Sequence, residues 1–254
     1  MSSAPGLRFG PLDLVVAGAP LPGCLDAHVG SVDAASPTVQ VAVVDALPKD
    51  TPRAHADAGF ALRAEPGGWA IAVRGDAGPS PWLAAFCEIV AREAPAADCA
   101  LLHAGAVALR DGVALLVGPP GVGKTTAVRA AGSRAFASNA VLAEAGGQRR
   151  VWAMPFNRDL EPALEAKGPR PLRAVAFVRR SDVAGIECLA GSAATVRLMA
   201  HVMRPRGDDP APRLRSEVAL RVLLGVPAVV LGMPRGPSYL VALDGLSPVD
   251  PAQS

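Results

Sequence analysis

Apolar residues in this chain fall into short runs broken by glycine, proline and aspartate, the pattern of strands between turns rather than of long helices. In the first hundred residues the runs Leu12–Ala17, Val39–Val44, Phe60–Ala64 and Trp69–Arg74 predict four strands. One segment differs. Leu83, Phe86, Ile89 and Val90 recur at helical spacing, which predicts an amphipathic helix over Trp82–Glu93, opened by Pro81 and capped by Ser80. From Ala104 two apolar runs, Ala104–Leu109 and Val113–Val117, flank Arg110-Asp111-Gly112, and Asp-Gly in that setting predicts a hairpin. A helix at Thr125–Ala131 follows, then strands at Ala140–Ala143, Arg150–Ala153 and Leu172–Val178. Helices near Ser192–Met203 and Ser216–Leu224 and a strand at Ala228–Leu231 complete the pattern. Pro205–Pro212, rich in Pro, Asp and Gly, reads as a mobile loop.

Composition narrows the class. Half of the 254 residues are hydrophobic and 19% are charged, enough apolar surface to offset the entropy of ordering, so a disordered chain is excluded and one globular unit or two small ones is expected. No apolar run approaches the roughly 20 residues of a bilayer helix, and no membrane partner is expected. Asp13 interrupts the run Leu12–Ala19, which argues against a signal peptide and for a cytoplasmic protein. A net charge of +2 is too weak to imply nucleic acid. Cys24, Cys87, Cys99 and Cys188 form no CxxC pair and read as buried free thiols, while His28, His55 and His201 are too far apart in sequence to suggest a metal site. Trp69, Trp82 and Trp152 lie in different predicted elements and read as packing residues.

The candidate chemistry lies in Gly118-Pro119-Pro120-Gly121-Val122-Gly123-Lys124-Thr125-Thr126, which fits GxxxxGK[ST]. A loop that wraps a triphosphate turns backbone N–H groups inward, and glycines are needed where a Cβ would block the path or φ is positive. The helix that follows aims its positive end at the same anion. Lys124 reaches the β and γ phosphates, and the Thr125 hydroxyl ligates the Mg²⁺ that bridges them. Shuffled chains of this composition match the pattern about 2 times in 1,000, before a preceding strand and a following helix are required. Lysines stand only at 49, 124 and 167, so one of three falls in this loop of an otherwise arginine-rich chain.

Such a loop serves many activities, and its surroundings decide among them. The strongest downstream strand ends in Arg179-Arg180-Ser181-Asp182 rather than the Asp-Glu of a mechanical ATPase, and no Asn-Lys-x-Asp guanine clamp occurs. Leu102-His103-Ala104-Gly105-Ala106-Val107, the hairpin through Asp111-Gly112-Val113-Ala114-Leu115-Leu116-Val117, the loop, Ala174-Val175-Ala176-Phe177-Val178-Arg179-Arg180 and the terminal Val226-Pro227-Ala228-Val229-Val230-Leu231 together resemble the C-terminal catalytic domain of HPr kinase/phosphorylase. The resemblance covers roughly residues 100 to 245. It implies an α/β fold, a P-loop mixed sheet with helices of the HPr-kinase and PEP-carboxykinase type over 99–246, preceded by a smaller β-rich portion over 1–98 and followed by a tail, 247–254. It further implies transfer of the γ-phosphoryl group of ATP, with Mg²⁺, to a serine of a small protein or peptide, and admits a homo-oligomer.

By the same resemblance His103 is the strand histidine ahead of the loop, placed to contact phosphate or the base loop. The chain departs from the family downstream, where relatives carry Ser-Asp-Asp and this sequence reads Ser138-Asn139-Ala140. An amide at Asn139 orients a hydroxyl or water but takes no proton near neutral pH. Three readings stay open: a kinase that uses another carboxylate, Glu144 or Asp159; a catalytically impaired ATP-binding module that regulates a partner; and an unrelated P-loop ATPase. Arginines 149, 150, 158, 170, 173, 179 and 180 cluster after the loop, and Arg158 and Arg179 are the two chosen as phosphate or substrate clamps.

Overall fold

The alternation read in the sequence resolves into two mixed sheets with a few helices. The computed structural model describes residues 6–9, 11–17, 29–30, 38–43, 59–73, 79–156, 168–207, 209–223 and 225–246. Cys24, His28, His55, Arg158, Asp159 and the tail 247–254 lie outside them. Among the described residues no helix is long and apolar enough to cross a membrane. The chain divides into two compact units, Met1–Ala97 with Arg204–Ala211, and Asp98–Met203 with Pro212–Ser254.

The first unit holds a six-stranded sheet of β1 (Gly6–Phe9), β2 (Leu12–Ala17), β3 (Val29–Gly30), β4 (Thr38–Val43), β5 (Phe60–Glu65) and β6 (Gly68–Val73), in the order β3-β1-β2-β4-β6-β5. The pairs β2/β4 and β4/β6 are parallel and the rest antiparallel. Helix α1 (Pro79–Glu93) packs on β5 and β6 and buries Phe86, Ile89 and Val90 completely. It begins at Pro79, so Ser80 lies within its first turn and does not precede it as a cap. Proline suits that turn because the N–H it lacks has no partner there. The segment expected as a mobile loop is irregular in backbone and tied down: the Glu88 carboxylate accepts the Arg206 N–H at 2.8 and 3.0 Å, and Arg92 donates to the Arg206 carbonyl at 2.7 Å. Cys87, expected as buried, is half-buried, and desolvation pushes its thiol up to about 12, which keeps it protonated at neutral pH. Trp69 donates to Glu93 at 2.7 Å and Trp82 stacks on Phe86, both packing roles.

The second unit is built around one long strand. Strands β7 (Cys99–Leu102), β8 (Ala104–Leu109), β9 (Gly112–Val117), β10 (Ala135–Ala137), β11 (Val141–Glu144), β12 (Arg150–Ala153), β13 (Arg170–Arg180), β14 (Gly185–Cys188) and β15 (Ala228–Met233) form a single mixed sheet. One edge of β13 carries β9 in parallel, then β8 and β10. The other edge is shared: Arg170 and Pro171 pair with β12, which leads to β11 and β7, while Val175–Arg180 run parallel to β15, which leads to β14. Residues Ala174–Val178 are all buried, because helices cover both faces. On one face Val113, Leu115, Val175 and Phe177 pack with α3 (Gly191–Met199) and α4 (Pro212–Leu223); on the other Ala114, Leu116, Ala174 and Ala176 pack with α2 (Lys124–Ala130) and α5 (Tyr239–Asp244).

The β8–β9 turn is the residue pair Arg110-Asp111, neither with positive φ, and Gly112 pairs with Leu109 inside the ladder. Gly112 is there for a different reason than the hairpin signal supposed. A Cβ at this position would stand 2.3 Å from the Pro171 carbonyl oxygen of β13. His103, expected within a strand, occupies the break between β7 and β8. Among the described cysteines Cys99 is buried, with its thiol also pushed up to about 12, but Cys188 is exposed because β14 is an edge strand with one open face.

Candidate functional site

The three parallel strands β9, β13 and β15 run in one direction, so Val117, Arg180 and Met233 end at the same edge of the sheet, the place where open α/β sheets hold ligands. The glycine-rich loop joins β9 to α2 there. Gly121 and Gly123 take φ values of +75° and +106°, which side chains with a Cβ rarely adopt, and a Cβ on Gly123 would stand 3.2 Å from the Met233 methyl.

Lys124 is the first residue of α2 and is only 6% exposed. Its Nζ donates to the carbonyls of Gly118 at 2.6 Å and Pro119 at 3.1 Å, and burial lowers its pKa. A cavity of about 340 Å³ opens beside it, lined by His103, Pro120, Gly121, Gly123, Lys124, Thr125, Thr126 and Asn139. Residues 118–126, His103 and Asn139, singled out in the sequence, are therefore neighbours in space. Val122 lines a second cavity of about 890 Å³, which shares Gly123 and Thr126 with the first and is lined as well by Arg180, Ser181, Asp182, Met233 and Arg235.

The Asn139 amide donates to the Phe156 carbonyl at 3.1 Å, and Ala140 is buried at the head of β11. Glu144 is not at the cavity. It ends β11 opposite Cys99, while the other end of that strand pairs with Leu102 beside His103, and Arg150 holds both of its oxygens at 2.9 and 3.0 Å. Those bonds hold its carboxyl below the usual range. Arg179 pairs with Glu187 on the exposed surface. The arginine that reaches the loop is the next one, Arg180, whose Nη2 donates to the Gly121 carbonyl at 2.6 Å. Arg173 is likewise taken by a carboxylate, that of Asp111 at 3.1 Å.

His201, given no role from the sequence, stands beside the cavity residues. Leu102 bridges Val202, and the His103 N–H donates to the His201 carbonyl at 2.8 Å. Burial, and then the Lys124 charge, lower both imidazole pKa values from 6.5; His201 lowers that of His103 further, against a hydrogen bond that His103 donates to the Asn139 backbone, which raises it. Both rings are neutral at pH 7. The unfolded chain therefore binds more protons than the folded one below about pH 6.5, and stability falls as pH drops through that value. Thermal unfolding at pH 7.0 and 5.5 is expected to show this loss, and the double variant His103→Gln/His201→Gln to show less of it. An equal loss in both proteins would disprove the assignment.

Among the described residues no group of three or more His, Cys, Asp or Glu is arranged to hold a metal ion. The loop cavity offers a cation the Thr125 and Thr126 hydroxyls, and the neighbouring one adds the carboxylate of Asp182. Asp182 and Arg180 stand at the end of the strand that pairs with the loop strand, a pairing of distant segments that only the structure shows, and His201 likewise follows from no local signal. No protein-family model and no curated protein matches this chain.

Proposed function

We propose that Gly118–Thr126 binds ATP with Mg²⁺ and that the chain is an HPr-kinase-like protein that transfers the γ-phosphoryl group to a serine of a small protein or peptide. The observation that carries the nucleotide reading is the Lys124 ammonium, buried against a cavity, with hydrogen bonds to two carbonyls of its own loop and no carboxylate partner among the described residues. Phosphate oxygens are stronger acceptors for that charge than neutral carbonyls, so an entering polyphosphate draws Lys124 to itself. The lining fits: glycines keep the loop path open, and Thr125 presents a hydroxyl. Mg²⁺, when bound, neutralises charge on the β and γ phosphates. The chain's own contribution to transfer is Lys124 on the phosphate, the loop as cradle, and Asp182 as the carboxylate that accepts the serine proton.

A second reading, a nucleotide-binding regulatory module with impaired catalysis, is favoured by one specific observation. The loop cavity has no carboxylate in its lining, and Asn139 spends its amide on the Phe156 carbonyl. Calorimetric titration of ATP into the full chain, with Mg²⁺ and again with EDTA, tests both. Binding that weakens in EDTA, with label from γ-labelled ATP moving to a serine peptide, supports the kinase. Binding indifferent to Mg²⁺ and without transfer supports the regulatory module, and no binding removes both.

A further inference from the structure

We propose that Arg180 reads the outermost phosphate of the bound nucleotide and so sets preference for the triphosphate over the diphosphate, an inference that rests on the nucleotide reading above. Arg179 and Arg180 are successive residues at the end of β13 and their side chains leave opposite faces of the sheet. Arg179 meets Glu187; Arg180 meets the loop. Among the described residues Gly121 is the hydrogen-bond partner of Arg180 and no carboxylate pairs with it; Arg180 is exposed and lines the larger cavity, which shares Gly123 and Thr126 with the loop cavity.

Two cations thus hold three carbonyls of one loop from two different elements, Lys124 on Gly118 and Pro119, Arg180 on Gly121. Lys124 reaches the β and γ phosphates in such loops. Its carbonyl partners mark residues 118–119 as the half of the loop near the outer phosphates. Gly121, the Arg180 partner, adjoins that half and lines the loop cavity with Lys124 and Thr125, the residues that serve the β and γ phosphates in such loops. The planar fork suits a terminal phosphate, which alone presents three free oxygens. The register Arg180↔Met233, and the cavity that Gly123, Arg180 and Met233 line together, place the strand end beside the loop, where an anion can take the guanidinium from the Gly121 carbonyl.

Mg-ATP and Mg-ADP affinities of the full-length wild type, Arg180→Ala, Arg180→Lys and Arg179→Ala test this by calorimetry. Arg180→Ala is expected to weaken ATP about 10-fold or more and ADP less than about threefold, while Arg179→Ala changes neither. Arg180→Lys, which retains the charge without the fork, is expected to fall between and serves in place of the alanine variant if that protein does not fold. Equal weakening of ATP and ADP would reduce Arg180 to a latch on the Gly121 carbonyl and overturn the proposal, as would no weakening. If the wild type binds neither nucleotide, the nucleotide reading itself fails; if it binds ATP through Lys124 and Arg180→Ala is silent, only the Arg180 assignment does.

Discussion

Replacing Lys124 with alanine is expected to lower ATP affinity by about 100-fold, near 2.7 kcal/mol, with the fold intact. The two halves of that result have one cause. The ammonium is buried with neutral partners, a setting that disfavours its charged form, as its lowered pKa records. Its removal therefore takes away a group that is desolvated in the free protein and repaid by phosphate. A thermal midpoint equal to or above that of the wild type, together with lost ATP binding, is the expected pair. Unchanged ATP affinity in the folded variant would show that nucleotide binds elsewhere or through other groups.

A large stability effect is expected at Gly112, far from any chemistry. Alanine there puts a Cβ 2.3 Å from the Pro171 carbonyl oxygen and 2.6 Å from the Arg173 Cγ. The side chain can move, but the carbonyl belongs to the backbone of β13, the strand on which both branches of the sheet hang. Either β9 and β13 separate or the hairpin shifts, and a loss of about 3 kcal/mol or more is expected for Gly112→Ala in urea denaturation. Arg110→Ala, one turn residue away and exposed, is expected to cost less than about 0.5 kcal/mol. Equal midpoints for the two variants would contradict the close approach of these strands.

What could be read ahead of the structure was whatever is written in consecutive residues. The loop, its entering strand and its following helix form one contiguous stretch, and the hairpin before them is local too. Gly112 was recognised as important, though for turn chemistry rather than for the approach of a strand some sixty residues on. Strand β7 escaped notice because Cys99–Leu102 is four apolar residues with no alternation, and β14 because Gly185–Cys188 has mostly exposed positions and no apolar run. Arg179 stands out in the sequence for its place at the strand end, and alternation shows that it and Arg180 point apart but not which of them meets the loop. His201 joins His103 through a pairing of Leu102 with Val202, a contact with no trace in the intervening sequence. Cooperation between distant segments was the part not legible.

The division of the first unit between Met1–Ala97 and Arg204–Ala211 bears on the order in which the protein is made. A chain emerging from the ribosome completes residues 1–97 long before Arg206 exists to donate its N–H to Glu88. The second unit waits as well, since β9 pairs with a strand that itself pairs with Ala228–Met233. The first unit finishes only after residues 98–203 of the second have been synthesised, and the second only after all of the first, and non-local parallel pairing is slow to form. A cut after Ala97 leaves residues 1–97 without Arg204–Ala211, whereas 98–254 holds the whole of the second unit, so co-expression of the halves, with Arg204–Ala211 supplied in trans, is the form in which the first unit is completed.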